Sequence, residues 1–229
     1  MILDIRLRAA ADMVPKGARL ADIGSDHAYL PIALCLENKI EYALASDINE
    51  GPVQAAVANI HKNRLGDRIV AVRADGLDKT RDFDPDCITI LGMGGELIVS
   101  ILDKADWVKD ENITLVLQPM THPEILAKYL AKEGFGVIDE RIVRDGTRDD
   151  RIYRIISAKF DGKSRNITDG EALVGRINID RGDEITAAYI NRNIRVLETR
   201  ISGKASVGAD AESEKALVSE LGSFLGRGE

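Results

Sequence analysis

The sequence predicts an α/β fold: a doubly wound, mostly parallel sheet closed by an antiparallel strand pair, with a small helical domain after it. Three observations carry this. Short β-rich runs alternate with helix-patterned segments through the first two thirds of the chain, as βα units do. Two further runs flank the turn-like stretch 145–150, and the second alternates charged and apolar residues, as expected of an antiparallel pair at a sheet edge. Beyond residue 162 the strand signal stops and helical spacing takes over, which sets the expected domains at 1–162 and 163–229.

In chain order, ARLADIG (18–24) reads as a buried strand ending in glycine, and AYLPIALCLEN (28–38) as a helix. Pro31 falls in the first turn of that helix, where its missing N–H does no harm. YALASD (42–47) is a second strand. The helix after it starts at Pro52 and sets Val53, Ala56, Val57 and Ile60 on one face. RIVAVRA (68–74), DCITILG (86–92) and ITLVLQ (113–118) are strands three to five, with helices expected at 95–103 and 123–132. FGVIDERIVRDG and RIYRIISAKF form the antiparallel pair. Further on, Ile190, Ile194, Leu197 and Ile201 recur at helical spacing, as do Leu217, Leu221 and Phe224. With SGKASVGADAES (202–213) between them, they predict two short antiparallel helices packed as a coiled coil.

Of the 229 residues 45% are hydrophobic and 30% charged, which excludes disorder for most of the chain. No run of about 18 apolar residues exists, so no membrane span is expected. The N-terminal pattern is interrupted by Asp4, Arg6, Arg8 and Asp12, which is wrong for a secretory leader and predicts a cytoplasmic protein. Cys35 and Cys87 sit in apolar surroundings as free thiols, and with three scattered histidines no metal site is expected. The net charge of −7 counts against nonspecific wrapping of nucleic acid. Local basic excesses of +2 over 1–19, +3 over 141–159 and +2 over 181–204 nevertheless offer faces for RNA. The second of these holds Arg141, Arg144, Arg148, Arg151, Arg154 and Lys159 against three acids. No oligomeric state is legible, and a monomer is compatible with the sequence.

The chemistry is expected in the loops that leave the strands. A glycine directly after strand one lets the backbone turn sharply against a ligand, and ligands of open α/β sheets bind at the carboxyl ends of the strands. Here Gly24 stands alone and is followed by Ser25, Asp26 and His27. A pyrophosphate loop needs more glycine and no central carboxylate, so a nicotinamide dinucleotide is disfavoured. Asp26 instead suits a cation or an amine, as in S-adenosylmethionine (SAM), with its ammonium and its positive sulfur. A plainer alternative makes Asp26 the N-cap of the next helix. Asp47 ends strand two 23 residues after Gly24, close to the spacing of about 20 for a ribose-binding carboxylate, although it could equally cap the following helix. Asp75, Gly76 and Leu77 follow strand three, where Asp75 can meet the adenine amine or simply form a turn. LGMGGELI (91–98) leaves the backbone bare at Gly92, Gly94 and Gly95, and Gln118-Pro119 closes strand five, where a polar side chain could touch the acceptor.

Together, ADIGSDHAYLP, SDINEGPVQAA, ADGL, GMGGELI and LQP resemble the TrmK-type tRNA (adenine-N1)-methyltransferases in order and spacing, over almost the whole chain. The resemblance implies a Rossmann-like class I SAM-dependent methyltransferase domain with a small C-terminal coiled-coil domain, and transfer of a methyl group to N1 of adenosine 22 in tRNA. It implies that Asp22, Gly24, Ser25, Asp26 and His27 line the methionine end of SAM, and that Asp47 and Ile48 hold the ribose. Asp75, Gly76 and Leu77 would surround the adenine, with Gly92, Met93, Gly94 and Gly95 as the floor near the transferred methyl. Met120 departs from the Gln-Pro-Asn that related chains commonly carry.

For catalysis, Asp26 is the candidate to stabilise the cationic product base, with His27 and Tyr29 second. Alternatively, His27 is a hydrogen-bonding residue at the helix start and Tyr29 packs there. Two rival functions stay open at this point: a SAM-dependent methyltransferase of a small molecule or a protein, and a non-catalytic SAM- and RNA-binding protein.

Overall fold

The structure is a computed structural model that describes residues 2–146 and 151–225. It divides into two compact units, Met1–Arg165 and Asn166–Glu229.

The first unit is built on a seven-stranded sheet of order β3-β2-β1-β4-β5-β7-β6. Its strands are β1 (Arg19–Ile23), β2 (Tyr42–Asp47), β3 (Ile69–Arg73), β4 (Cys87–Gly94), β5 (Thr114–Thr121), β6 (Phe135–Arg144) and β7 (Ile152–Phe160). Strands β1 to β5 pair in parallel, whereas β7 runs antiparallel to both β5 and β6. The terminal hairpin therefore lies at the sheet edge, as its alternating pattern predicts. The chain winds outward from β1 to β3 and then crosses back to β4, so the order reverses between β1 and β4. That reversal opens a crevice at the carboxyl ends of these two strands.

Neighbouring residues on the central strands feed opposite faces of the sheet. Leu20, Cys87, Val116 and Ile155 belong to one apolar core, and Ala21, Ile88, Leu117 and Ile156 to the other. The first core is covered by α1 (Ile5–Met13), α2 (Tyr29–Leu36) and α3 (Glu50–Lys62), through Ala10, Ile32 and Ile60. The second is covered by α4 (Gly95–Asp103) and α5 (Pro123–Lys132), through Ile98, Leu102, Leu126 and Leu130. A sheet covered on both faces needs strands that are apolar throughout, which is why β1, β4 and β5 read as continuous hydrophobic runs.

Two differences from the sequence expectation concern this unit. Residues 5–13 carry no predicted element yet form α1, capped by Asp4 Oδ1, which accepts the Leu7 N–H at 2.7 Å. Its buried face is mostly Ala9, Ala10 and Ala11, too weakly apolar to produce a periodic signal. Strands β4 and β5 also run on to Gly94 and Thr121, so the glycine segment is no free turn. Met93 still pairs with Pro119 and Gly94 with Thr121, with the register irregular on either side of Met93. Part of the turn expected over 145–150, and Arg148 with it, lies outside the described residues.

The second unit comprises α6 (Asp169–Val174), α7 (Arg176–Arg181), α8 (Glu184–Ser206) and α9 (Glu212–Phe224). Thr168 and Glu171 form a reciprocal capping box at the start of α6. Helices α8 and α9 form a hairpin that buries Ile190, Leu197, Leu221 and Phe224 and is tied by a Lys204–Glu214 ion pair at 2.5 Å. The expected connection at 202–213 is shorter than predicted, because Ser202–Ser206 continue α8. The short α6 and α7 are additions, six residues each and so below the length at which periodicity is legible.

Candidate functional site

The turn after β1 is built on a buried carboxyl. Asp22 accepts hydrogen bonds from Ser25 Oγ at 2.5 Å and Thr89 Oγ1 at 2.6 Å, and all three residues are buried. Burial pushes the Asp22 pKa up, while the two hydroxyls and the charge of Arg6 pull it back. The Ser25 N–H donates to the Ser46 carbonyl at 2.8 Å, which pins the turn to the end of β2. Gly24 sits at φ +71, and the terminal methyl of Met93 occupies the space where a side chain on Gly24 would begin. Asp22 and Ser25 thus shape the loop from beneath it.

Asp26, His27 and Ala28 then make a single 3-10 turn in which His27 (φ +61) and Ala28 (φ +54) are both left-handed. Such backbone costs about 1–3 kcal/mol per residue and persists only where the surroundings hold it. Here Asn59 on α3 donates its Nδ2 to the His27 carbonyl at 3.0 Å. The residue preceding α2 is Ala28, so Asp26 is not the N-cap of that helix. Its carboxylate is exposed, 3.4 Å from His27 Nε2. The His27 ring stacks on the Tyr29 ring, with centroids 5.1 Å apart and planes 8° from parallel. The pair forms a flat, partly exposed aromatic surface beside a carboxylate, rather than a helix-start hydrogen bond.

At the end of β2 the Asp47 Oδ1 accepts the Asn49 N–H at 2.8 Å, and Asp47 Oδ2 has no partner among the described residues. Asp47 thus turns the chain toward α3 without capping it, since Asn49 precedes that helix. Ile48 is exposed beside it, and its carbonyl accepts from Arg73 Nε at 2.9 Å. After β3, Asp75 is exposed, Leu77 is buried and Gly76 is left-handed at φ +53, with the Ile101 side chain 3.2 Å from where a side chain would start.

The glycines after β4 divide into two kinds. Gly92 has φ +78 and is exposed, with Met93 half-buried behind it. Gly94 and Gly95 instead face the end of β5: a side chain on Gly94 would start 3.1 Å from Thr121 Oγ1, and one on Gly95 would collide with the His122 carbonyl. Packing of β4 on β5 keeps Gly95 bare. Of the four residues expected as the floor, Gly92 is exposed, Met93 and Gly94 are half-buried and Gly95 is buried.

Gln118 does not project into the crevice to touch an acceptor. It is fully buried, and its Oε1 accepts both the Gly92 N–H at 3.0 Å and Arg6 Nη1 at 3.1 Å, while its Nε2 donates to the Pro119 carbonyl at 2.9 Å. The Met120 thioether lies 3.5 Å from the same Nε2. Arg6, Asn59 and Tyr153 enter the site region from distant segments and went unnoticed in the sequence. The guanidinium of Arg6 lies 6.0 Å from the centre of the Tyr153 ring.

The basic stretches are partly spent on the protein itself. Arg8 is paired with Glu37 at 2.6 Å, and Arg141 lies between Asp12 at 3.3 Å and Asp139 at 3.4 Å. Arg154 is buried against Glu140, so it cannot belong to an RNA-facing surface. Exposed cations are also found at Arg192, Arg195 and Arg200. Among the described residues no group of His, Cys, Asp and Glu is placed to hold a metal ion, and no helix is long and apolar enough to cross a membrane.

Known proteins resemble this chain in sequence and fold. Residues 3–156 match a family model described as a methyltransferase domain. The chain is 33% identical over 223 residues to the tRNA (adenine(22)-N(1))-methyltransferase of Bacillus subtilis, covering 96% of this chain and 92% of that one. A Streptococcus agalactiae protein of the NADB-Rossmann superfamily superposes with a TM-score of 0.86 at 31% identity, covering 98% of each chain. A Streptococcus pneumoniae chain to which tRNA (m1A22) methylation is ascribed, solved in complex with S-adenosyl-L-methionine, gives 0.82 at 28% identity, covering 96% of this chain and 99% of that one. By fold, by its strand-end turns and by a likeness that runs the length of the chain, the protein belongs to the tRNA (adenine(22)-N(1))-methyltransferase family.

Proposed function

We propose that this protein transfers a methyl group from SAM to N1 of adenosine 22 in tRNA, in the cytoplasm where that substrate is found. The observation that carries the acceptor is the full-length likeness to the B. subtilis enzyme. The cofactor is supported by the residues themselves. A lone left-handed Gly24, a carboxylate in place of further glycines, and Asp47 with one oxygen uncommitted fit a cationic, ribose-bearing ligand better than a pyrophosphate.

Bound there, SAM supplies an electrophilic methyl group on a sulfonium. The turn at Gly24, Ser25, Asp26 and His27 receives the amino-acid end, above the buried Asp22. Asp47 and Ile48 take the ribose, and Asp75, Gly76 and Leu77 flank the adenine. Gly92, Met93, Gly94 and Gly95 floor the crevice where the acceptor approaches. Alignment of the N1 lone pair with the methyl carbon and the sulfur is the main task, and such alignment supplies about 7–11 kcal/mol. N1 is hidden in a base pair, so the nucleotide must be unpaired or flipped out. The stacked His27–Tyr29 surface offers the exposed base a platform. Asp26, beside that platform, stabilises the positive charge that N1 methylation leaves on the base.

The test is incubation with methyl-labelled SAM and unmodified tRNA transcripts, followed by nucleoside analysis. One-methyladenosine at position 22, lost when that base is changed, establishes substrate and chemistry together. Label in an RNase-resistant fraction assigns a protein or small-molecule acceptor instead. Cofactor binding without any label identifies a non-catalytic binder.

A further inference from the structure

We infer that His122 reads the acceptor base, its Nε2 accepting a hydrogen bond from the exocyclic amine of the adenine whose N1 is methylated. This rests on the acceptor proposed above. His122 follows β5 directly and stands against the glycine floor of the crevice. Its carbonyl occupies the space where a side chain on Gly95 would begin, and Thr121 Oγ1 lies 3.1 Å from the corresponding point on Gly94. The imidazole is thus carried on the β5 side of the floor, with β4 between it and the turn after β1.

Two features separate this histidine from an ordinary surface residue. Its backbone is left-handed, at φ +51 and ψ +49, although Pro123 follows it. A residue with a Cβ resists that conformation, and a following proline favours extended backbone instead, so the surroundings must hold His122 in place. The ring is held as well. Glu124 Oε1 lies 3.2 Å from Nδ1, so in the neutral imidazole the proton belongs on Nδ1, which donates to the carboxylate. Nε2 then presents a bare lone pair, and among the described residues it has no partner.

A lone pair at that position suits adenine and rejects guanine. Adenine sets a donating N6 amine beside an unprotonated N1, whereas guanine sets an accepting O6 beside an N1 that carries a proton. The reaction also strengthens the contact. As the C–S bond breaks, its electron pair stays on sulfur, and the N1 lone pair forms the new C–N bond. The base gains the positive charge, and no proton has to leave. That charge is shared with the N6 amine, which becomes a better donor. A hydrogen bond that tightens toward the transition state speeds the chemical step.

The test reads single-turnover methylation by the full chain of two tRNAs, one with adenine at position 22 and one with unsubstituted purine, which lacks the amine. Purine is the poorer nucleophile for any enzyme, so the preference for adenine is compared between variants. His122→Ala should slow the adenine tRNA by about 10- to 100-fold and the purine tRNA by no more than about twofold, the worth of one hydrogen bond to a developing charge. His122→Gln, whose amide oxygen is an acceptor, should restore part of the preference, and Glu124→Ala should lose part of it by freeing the ring. Thermal melts check that each variant is folded, and S-adenosylhomocysteine affinity should not move. Equal losses on the two tRNAs make His122 a general support of the site and overturn the inference. No loss on either does the same. A wild type that binds S-adenosylhomocysteine but methylates neither tRNA overturns the acceptor reading itself, and this inference falls with it.

Discussion

Met93 fills the space in which a side chain on Gly24 would begin, so the turn after β1 and the end of β4 close on each other at these two residues. Gly24 also has φ +71, which a residue with a Cβ adopts at a cost of about 1–2 kcal/mol. Gly24→Ala is therefore expected to destabilise the protein by more than that amount, because the clash with Met93 adds to it, and to weaken S-adenosylhomocysteine binding at least ~10-fold. Adding Met93→Ala should recover the steric part and leave the backbone part. Thermal melts and calorimetric titration of the single and double variants separate the two.

Asp26 is exposed beside His27, so its removal costs the fold little. Asp26→Asn is expected to lower the rate of methyl transfer by about 100-fold, as loss of an electrostatic stabiliser does. Its melting temperature should stay close to wild type, and its cofactor affinity should fall far less than the rate, since Asp26 is also proposed to line the amino-acid end of the cofactor site. Single-turnover kinetics read the rate. A variant that merely binds cofactor more weakly would reassign Asp26 to binding.

The buried Arg154–Glu140 pair joins β7 to β6 across the sheet edge. Removing one partner of a buried pair strands the other, at about 3–5 kcal/mol. Arg154→Ala is expected to cost that much in urea unfolding. Replacing both residues, Arg154→Met with Glu140→Leu, should cost far less, because no charge is left buried alone.

Asp161 is held at about 2 by hydrogen bonds from the Arg165 guanidinium and the Lys163 N–H. A carboxyl whose folded pKa is depressed stabilises above its unfolded pKa of about 3.9, and loses that contribution as pH falls toward 2. Asp161→Asn should accordingly lower the melting temperature slightly at pH 7, with the difference shrinking below about pH 4 and closing near 2. Both partners are solvent-exposed, so added salt should shrink it too.

The sequence by itself determined the order of the strands and of the helices between them, the doubly wound sheet and its antiparallel edge, though not α1, α6 and α7. Each of these is written in local patterns: apolar runs for buried strands, Pro at helix starts, alternation in β7. The loops proposed to carry chemistry were legible too, because carboxylates and glycines directly after strands are visible one residue at a time. The tertiary structure alone decided how those loops are held. Arg6 meets Gln118, and Asn59 meets the His27 carbonyl, across long stretches of chain with no shared period to betray them. Gly95 is kept free of a side chain by the His122 carbonyl at the end of β5. Local propensity acts over a few residues, whereas a site is assembled by contacts that exist only once the sheet has closed.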